Sequence, residues 1–535
     1  MKIEKLYIQN FKGIESFDFE LNTDLNILVG NNETGKSTVL EAIYLCLTGV
    51  YRGRKIQNDL SPYLFNKKAF DDYLNALSEG QTADIPMLII ELYLLPEEDV
   101  FRLQGLNNTK RENVPGVKVE VQFDSEFTEE YQNYISDLES VKTIPTEYFK
   151  VNWFSFANHP LSRRSIPVNA TLIDTTTIRL QYGTDYYLNR IINDQLTSKE
   201  KAELSIEYRK LKESFAEQES IRAINERLEQ NRGAISDKEM KVSIDISNKT
   251  SWEANLTPYL DEIPFEFTGK GDQSISKMLL AIERQGDFSD MILIEEPENH
   301  LSFGNMSRLI KKIKEKCEGK QLLITTHSTY VANKLGLEKL VLMGAGQQIT
   351  KLNSLQEDTQ GYFKKLPGYD TLRFILSNKA ILVEGPSDEL FVQKAYQKQN
   401  DGILPIENGI DIISVRGLSF KRFLQIAQIV KNEVVVITDN DGNFEEKVQN
   451  KYHEFEANKN IKICADDDEK YPTLEPQIVK VNELEKLNTI LERNFENKDE
   501  ISEFMKKNKT ECALRFFETN EDFNIPEYIL DAIRK

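Results

Sequence analysis

The chain has 535 residues, of which 40% are hydrophobic, and a formal net charge of −20. This size allows several hydrophobic cores, and the negative charge means that contact with nucleic acid requires a local basic surface or bound metal. Because the four cysteines have no paired spacing, the first residues lack an apolar signal core and no apolar run could cross a bilayer, we expect a cytoplasmic protein without a membrane domain.

The first predicted elements are short strands that lead into a glycine-rich loop. Apolar residues in alternation predict strands over 3–11 and 16–21, and the run 25–30 predicts a third. A helix over 36–48 is expected next, and further strands are expected at 86–95 and 116–123. These elements are assigned to the first lobe of an α/β domain, residues 1–160.

A helical insertion is predicted over 161–241, because its second half is rich in Glu, Lys and Arg and carries apolar residues at helical spacing. This stripe could pack onto its own lobe or form a dimer surface, and we favour the dimer surface. Its apolar members are Leu204, Ile206, Leu211, Phe215, Ile221, Ile224 and Leu228.

Two more α/β blocks are predicted after the insertion. Residues 242–350 contain the strand sequences MILIEE and QLLITTH, each followed by helical sequence, and 351–375 has the composition of a connector. In 376–535 the strand sequences AILVEG, IDIISVRG and EVVVITDND are each followed by a helical pattern. The fold class is therefore α/β, with a second α/β domain at the C-terminal end of the sequence.

Residues 30–37 match the phosphate-binding pattern GxxxxGK(S/T), after an apolar strand and before a helix. The glycines let backbone N–H groups face phosphate oxygens, Lys36 would reach the β- and γ-phosphates, and Ser37 would hold Mg²⁺. A chance loop of this composition is the alternative, and both flanks argue against it. The expected ATP-binding residues are Gly30, Asn31, Asn32, Glu33, Thr34, Gly35, Lys36, Ser37, Thr38 and, from the middle of the chain, Glu295.

The strand sequence MILI delivers two carboxylates in succession, as a Walker B element does. We assign Glu295 to Mg²⁺ and Glu296 to the base that activates water. About thirty residues later a second strand ends at His327, which we assign to sensing the γ-phosphate. An exposed acidic loop and a structural histidine are the ordinary alternatives. Together with residues 3–14, this order resembles the ABC-type ATPases of the SMC and RecF group.

That resemblance implies two ATPase heads that sandwich ATP, each using a signature loop from its partner. The candidate loop is Thr268–Ser274, and it departs from the usual LSGGQ sequence. The departure leaves open whether ATP is hydrolysed rapidly.

Two later strands also end in carboxylates. Glu384 and Asp388 follow the first, and Asp439 and Asp441 follow the second. Open α/β sheets form their binding crevice at the carboxyl ends of parallel strands, and clustered carboxylates need a divalent cation such as Mg²⁺ or Mn²⁺ to offset their repulsion. An ordinary Asp-Asn-Asp-Gly turn is the alternative for the second pair.

The pair resembles a Toprim domain, and its position after an ABC-type ATPase resembles the OLD family, which includes the Gabija A-subunit nuclease and certain retron effectors. The resemblance implies a two-metal DNA nuclease, dimerisation through the ATPase domains and, for many members, defence against phage. Glu384, Asp388, Asp439 and Asp441 match the metal-binding pattern of the family. Glu475 and Lys509 match its later acid and its lysine less closely. The family partners are DNA, a second copy of the chain, and in some members a regulatory protein or a retron RNA or DNA.

The predicted function is an ATP-regulated, Mg²⁺- or Mn²⁺-dependent DNA endonuclease, with Mg²⁺ also at the ATPase site. One alternative is an ATP-gated DNA clamp or sensor of the SMC and RecF type whose Toprim half is a docking surface for partners. A topoisomerase or primase would need further domains. Arg416, Lys421 and Arg422 either contact phosphate beside the metals or belong to a solvated helix start.

Overall fold

The computed structural model describes residues 2–52, 54–81, 83–138, 141–162, 165–174, 180–181, 184–185, 196–230, 241–243, 252, 257–285, 290–368, 370–416 and 420–534. They form two compact units. Met1–Val168 and Gln321–Lys535 make up one, and Asn169–Lys320 the other. No helix in the described ranges has the length and apolar character needed to span a membrane.

The N-terminal part of the first unit consists mainly of strands with one long buried helix. Its elements are β1 (Ile3–Phe11), β2 (Ile14–Glu20), β3 (Leu25–Val29), α1 (Lys36–Thr48), β4 (Val50–Tyr51), β5 (Arg54–Lys55), α2 (Lys67–Ser78), β6 (Leu88–Leu94), β7 (Gln104–Gly105), β8 (Val114–Phe123), α3 (Thr128–Tyr134) and β9 (Phe149–Ser155).

Strands β2, β1, β6, β8 and β7 form an antiparallel sheet in this order, and β9 pairs with β8. Every residue of β6 is buried, as expected for a strand covered on both faces. The strands predicted near 3–11, 16–21, 25–30, 86–95 and 116–123 and the helix over 36–48 are confirmed, and their boundaries shift by a few residues at most.

The described residues of the second unit form four α-helices and several short strands. Its elements are β10 (Ala170–Asp174), β11 (Leu180–Gln181), β12 (Thr184–Asp185), α4 (Ser198–Ala216), α5 (Glu219–Gln230), β13 (Tyr259–Leu260), β14 (Ile263–Pro264), α6 (Lys270–Gln285), β15 (Met291–Glu295) and α7 (Phe303–Lys316).

Helix α4 starts with a capping box, in which Thr197 and Glu200 each bond the other's backbone. Leu204, Leu211 and Phe215 lie on one face of this helix and are 40%, 64% and 44% exposed. Ile206 was assigned to the same stripe, but two residues correspond to about 200° of rotation, so it lies on another face. The apolar stripe of α4 is therefore narrower than the sequence pattern indicates.

The remainder of the first unit alternates strands with helices. Its elements are β16 (Gln321–Thr325), α8 (Thr329–Leu335), β17 (Leu340–Met343), β18 (Ile349–Lys351), α9 (Glu357–Lys365), α10 (Thr371–Leu376), β19 (Lys379–Val383), α11 (Pro386–Gln399), β20 (Ile410–Ser414), α12 (Phe420–Val430), β21 (Glu433–Ile437), a π-helix (Glu445–Asn450), β22 (Ile461–Cys464), α13 (Leu474–Val481), α14 (Leu484–Leu491), α15 (Lys498–Lys507), α16 (Lys509–Glu518) and α17 (Glu527–Ile533).

Two parallel arrangements in this unit position the candidate sites. Strand β3 lies between β16 and β17 and is parallel to both, so the residues that follow β3 and β16 leave the sheet at one edge. The C-terminal sheet has the order β20, β19, β21, β22, and all its pairings are parallel. Its central strands are apolar and buried, and helices α11, α13 and α17 contribute to the core against them. The predicted α/β fold class is thus confirmed.

All four cysteines are buried as free thiols. Burial raises the pKa of each thiol, to about 11 for Cys317, Cys464 and Cys512, and further for Cys46.

Candidate nucleotide and metal sites

The loop between β3 and α1 needs its glycines for different reasons. A Cβ on Gly30 would lie 2.6 Å from the carbonyl oxygen of Met343, so a side chain has no room there. Gly35 has φ 96°, in the left-handed region, and stands at the N-cap of α1. The N-cap position therefore has no side chain that could cap the helix, which is the usual form of an anion-binding helix N-terminus.

Lys36 is held inside this loop. The residue is 6% exposed, and its Nζ donates hydrogen bonds to the carbonyl oxygens of Gly30 at 2.9 Å and Asn31 at 3.0 Å. Thr34 also donates to Asn31, through Oγ1 at 2.9 Å. The lysine charge thus sits within the curve of the loop, where a phosphate would meet it. The other predicted nucleotide-binding residues of the loop are Asn32 and Glu33, which are exposed, Ser37, which is half-buried, and Thr38, which is buried.

His327 follows β16 at the same sheet edge as the loop. Thr326 is buried and His327 is exposed, and the Ser328 hydroxyl accepts from Val331 N at 3.3 Å to cap α8. Because Thr325 pairs with Leu28 in parallel register, the two strands present His327 and the glycine-rich loop on one side of the first unit.

The paired acids Glu295 and Glu296 lie in the second unit, at the end of β15, and both are half-buried. Glu296 has φ 40°, and its Oε2 accepts a hydrogen bond from Asn299 Nδ2 at 2.8 Å. In the candidate signature loop of this unit, a Cβ on Gly271 would lie 2.7 Å from the carbonyl oxygen of His300. The signature candidate and the turn after Glu296 are therefore in close contact, and only glycine fits at this point.

Glu384 and Asp439 meet at the carboxyl ends of β19 and β21. These strands are parallel neighbours, so the residues after them lie side by side. Glu384 Oε1 accepts hydrogen bonds from the hydroxyl of Thr438 at 2.9 Å and from the backbone N of Asp439 at 3.2 Å. Burial, and then the charges of Glu384, Asp388 and Glu475, raise the pKa of Asp439 to about 9.

Asp388 lies in the first turn of α11, and its Oδ2 accepts from Gly385 N at 2.8 Å. Burial and the neighbouring Glu384 raise its pKa to about 6. These shifts mean that the acids repel one another in a partly dry environment.

Glu475 and Lys509 join the same group of charges. Glu475 is 4% exposed at the start of α13, and its Oε1 lies 3.1 Å from Lys509 Nζ at the start of α16. The Thr473 hydroxyl donates to Glu475 Oε2 at 2.9 Å. Burial lowers the pKa of Lys509, but Glu475, Asp439 and Asp388 outweigh this effect and raise it. The structure thus brings Lys509 close to Glu475, Asp439 and Asp388.

The turn Asp439-Asn440-Asp441 is fixed by its middle residue. Asn440 is fully buried, and its Nδ2 donates to the carbonyl oxygens of Asp466 at 2.8 Å and Asp468 at 3.1 Å. Its Oδ1 accepts from Gly442 N at 2.8 Å. Asp441 is exposed with φ 47°. Asn440 was not among the predicted site residues, although its position between two predicted ligands was a signal.

The acids fit a divalent cation by charge and donor type. In the described part of the chain, no three carboxylate, histidine or cysteine side chains converge closely enough to hold a metal ion in their present positions. The mutual pKa effects of Glu384, Asp388, Asp439 and Glu475 nevertheless show that their charges are close, and hard oxygen donors of this kind suit Mg²⁺ or Mn²⁺. Glu384, Asp388, Asp439 and Glu475 are the residues that would hold such an ion, whereas the exposed Asp441 is not among the main causes of these pKa shifts.

Two of the three basic residues considered as phosphate contacts are engaged elsewhere. Arg422 pairs with Asp358 and donates to Thr359 Oγ1 at 2.7 Å, which ties α12 to α9. Lys421 Nζ lies 3.2 Å from Glu454. Arg416 is exposed at φ 53°. Ion pairing to the protein itself therefore accounts for Lys421 and Arg422 without a phosphate, and residues 417–419 lie outside the described residues.

Comparison with known proteins adds to this picture. The family described as AAA ATPase domain matches residues 1–332, and the Overcoming lysogenization defect protein-like TOPRIM domain matches 375–441. The DNA replication and repair protein RecF of Actinobacillus pleuropneumoniae serotype 5b is 35% identical over 82 residues, which are 15% of this chain and 22% of RecF. RecF of Vibrio campbellii is 42% identical over 64 residues, 11% of this chain and 18% of RecF. The chain thus spans about a fifth of the length of these curated relatives.

Solved structures that match the chain include an SMC head domain from Thermotoga maritima, at 14% identity and TM-score 0.28, covering 64% of this chain and 94% of that one. The C-terminal region of the Burkholderia pseudomallei OLD protein matches at 16% identity and TM-score 0.25, covering 30% of this chain and 96% of that one. The family matches cover the glycine-rich loop and the acids after β19 and β21. The chain therefore belongs to the AAA ATPase domain family and joins this ATPase to an OLD-like Toprim domain, the two-part arrangement of the OLD family.

Proposed function

We propose that the chain is an ATP-regulated, divalent-metal-dependent DNA endonuclease of the OLD type that acts in defence against phage. The observation that carries the nuclease is the cluster of Glu384, Asp388, Asp439 and Glu475 with Lys509, assembled from four separate segments at the strand ends of the Toprim sheet. The resemblance to the OLD family supports the defence role and DNA as substrate.

The acids and the lysine of the Toprim cluster have different proposed roles, which follow from their charge and position. Glu384, Asp388, Asp439, Asp441 and Glu475 supply oxygen ligands, which are the donors that hard divalent ions prefer. Bound divalent ions of this kind activate water and neutralise charge on phosphate oxygens. Lys509 is half exposed beside the acids, where its charge can approach a phosphodiester.

The residues of the ATPase half are also assigned roles by their charge and position. Lys36 and the N–H groups at the start of α1 form an anion site for the β- and γ-phosphates, and Ser37 is assigned to Mg²⁺. Glu295 and Glu296 are assigned to Mg²⁺ and to water activation by their order in the chain, and His327 to sensing the γ-phosphate.

Dimerisation is also part of the proposal. The face of α4 that carries Leu204, Leu211 and Phe215 is apolar and substantially exposed. Such a stripe at helical spacing suits packing against a second helix of the same kind. It supports a homodimer formed through the ATPase half.

Regulation by ATP requires a physical connection between the two sites, and contacts within the first unit offer one. Helix α8, which begins just after His327, contacts the connector: Thr371 Oγ1 donates to Asn333 Oδ1 at 2.7 Å. The connector also contacts α12 of the Toprim domain. The ring centroids of Phe374 and Phe423 are 5.1 Å apart, and Arg422 bonds Thr359. The connector thus packs both on α8, the helix that follows His327, and on α12 of the Toprim domain.

Replacing Thr371 with valine should weaken this coupling. Valine keeps the shape of threonine and removes the hydroxyl that bonds Asn333 in a fully buried position. We expect the ratio of cleavage rates with and without ATP to move at least about twofold toward one, while cleavage without ATP stays within about twofold of wild type. Thr489→Val is the matched control, because that exposed hydroxyl bonds only Glu485 of its own helix. If the ratio of cleavage rates with and without ATP is unchanged in Thr371→Val, the connector does not transmit the effect of ATP.

Cleavage of supercoiled plasmid tests the proposed function directly. Wild-type protein should cut with Mg²⁺ or Mn²⁺, and a chelator should stop it, because the ligand set needs an ion to act. Assays with and without ATP would give the direction of regulation. If wild type binds DNA in an ATP-dependent manner and leaves it intact with either metal, the clamp or sensor function replaces the nuclease.

A further inference from the structure

Tyr452 has a buried hydroxyl that lacks a hydrogen-bond partner. The residue is 1% exposed, and its Oη forms no hydrogen bond with any described residue. Other buried tyrosines of the Toprim domain are paired: Tyr396 Oη accepts from Asn408 at 2.8 Å, and Tyr528 Oη donates to Gln477 at 2.6 Å. Native proteins leave few buried polar groups unsatisfied, because each such group destabilises the fold.

The backbone before Tyr452 has an uncommon form. Residues Glu445–Asn450 form a π-helix shortly after the Asp439–Asp441 turn. π-Helices are rare and are found frequently at functional sites. The Tyr452 ring packs edge-on against Phe420 with centroids 6.4 Å apart, and Lys451 Nζ lies 5.1 Å from its centre. The ring is therefore fixed in place while its hydroxyl is unsatisfied.

The groups around this hydroxyl belong to the carboxylate cluster. Burial raises the pKa of Tyr452, an interaction with the Thr438 hydroxyl that falls outside hydrogen-bond geometry lowers it, and the charges of Glu384 and Asp441 raise it again. Thr438 already donates its single hydroxyl hydrogen to Glu384 Oε1 at 2.9 Å. The Thr438 oxygen can still accept a hydrogen bond, and a phenol is a suitable donor.

We propose that Tyr452 is a positioning residue of the Toprim metal site, whose hydroxyl gains its partner only when a divalent cation is bound. The partner is the Thr438 oxygen, a carboxylate oxygen of Glu384 or Asp441, or a water bound to the ion. The inference rests on the proposed metal-dependent function. Groups that hydrogen-bond the ligands of a metal orient them, and their loss typically weakens metal affinity 10- to 100-fold.

Binding of Mn²⁺ without nucleotide, followed by the paramagnetic resonance signal of the free ion, measures this role apart from activity. For Tyr452→Phe we expect an Mn²⁺ Kd about tenfold weaker than wild type. The melting temperature of its metal-free form should be unchanged or higher, because phenylalanine removes a buried hydroxyl that had no partner. Tyr396→Phe is the matched control: it removes a paired hydroxyl and should lower the metal-free melting temperature without changing Mn²⁺ binding.

The outcomes separate this inference from the proposed function. Asp439→Asn should abolish the Mn²⁺ binding measured here. If it does, and Tyr452→Phe binds Mn²⁺ within about twofold of wild type, the positioning role is wrong and the metal site stands. A lower metal-free melting temperature in Tyr452→Phe would show an ordinary structural hydroxyl and also overturn the inference. If wild type shows no Mn²⁺ binding that depends on Asp439, the metal proposal itself fails.

Discussion

Replacing Asp439 with asparagine should abolish DNA cleavage and stabilise the metal-free fold at the same time. The carboxylate lies among Glu384, Asp388 and Glu475 in a partly dry site, where its ionised form is disfavoured. Asparagine keeps the shape and removes the charge. It also removes a metal ligand, so we expect cleavage to fall by roughly 100-fold or more.

The sign of the stability change follows from the pKa of Asp439. In the unfolded chain an aspartate ionises near pH 3.9, whereas in the fold the pKa is raised to about 9. Above about pH 4 the unfolded state therefore gains more from ionisation than the folded state, and stability declines as the pH rises toward 9. The asparagine variant does not lose stability in this way, because asparagine does not ionise. Its advantage should be absent near pH 4 and reach at least about 1 kcal/mol near pH 8.

Thermal unfolding in the presence of a chelator, at both pH values, measures the effect. The matched control is Asp401→Asn, an exposed turn position with φ 50° that asparagine tolerates, where neither stability nor cleavage should change. A metal-free Asp439→Asn protein less stable than wild type at pH 8 would contradict the electrostatic account. Retained cleavage in this variant would contradict the assignment of Asp439 as a ligand.

Replacing Lys36 with alanine should reduce ATP hydrolysis by roughly 100-fold or more. Its Nζ is the cation within the glycine-rich loop, and loss of one preorganised donor to a reacting phosphate group has an effect of this order. Alanine also leaves the carbonyl oxygens of Gly30 and Asn31 without the lysine donor, so a loss of about 1–3 kcal/mol in stability is expected as well.

The two effects are separated by measuring nucleotide binding and hydrolysis below the melting transition. Lys67→Ala is the control, because that lysine is exposed at the start of α2 and carries the same charge change. Hydrolysis within about tenfold of wild type in a folded Lys36→Ala protein would show that the loop does not bind the reacting phosphates.

The sequence predicted the parts of the fold that depend on local patterns. The glycine-rich loop is recognisable because phosphate binding constrains neighbouring residues, and the strand ends at Glu384 and Asp439 follow apolar runs. Strand β10, which pairs with β15 in parallel register, was missed because residues 161–241 were predicted to be a helical insertion. Pairing between distant strands is set by packing, which no local pattern records.

The residues that support the Toprim cluster were also hard to predict, because tertiary packing determines their contacts. Thr438 precedes Asp439 directly, so its contact with Glu384 was open to inference from the strand register. Tyr452 could not be found in this way, since a π-helix, which has no simple sequence signal, determines where its ring lies. Lys421 and Arg422 looked like phosphate contacts, but their partners Glu454 and Asp358 come from other helices and turns.

The burial of all four thiols makes the chain a convenient background for attached probes. Thiolates are the reactive species, and these groups are both covered and hard to ionise at neutral pH. A cysteine introduced at an exposed serine, such as Ser136 in the first unit or Ser198 in the second, would be the site that a maleimide dye selects. A donor and acceptor placed at these two positions could then follow the distance between the units through cycles of nucleotide addition, without removing any native cysteine.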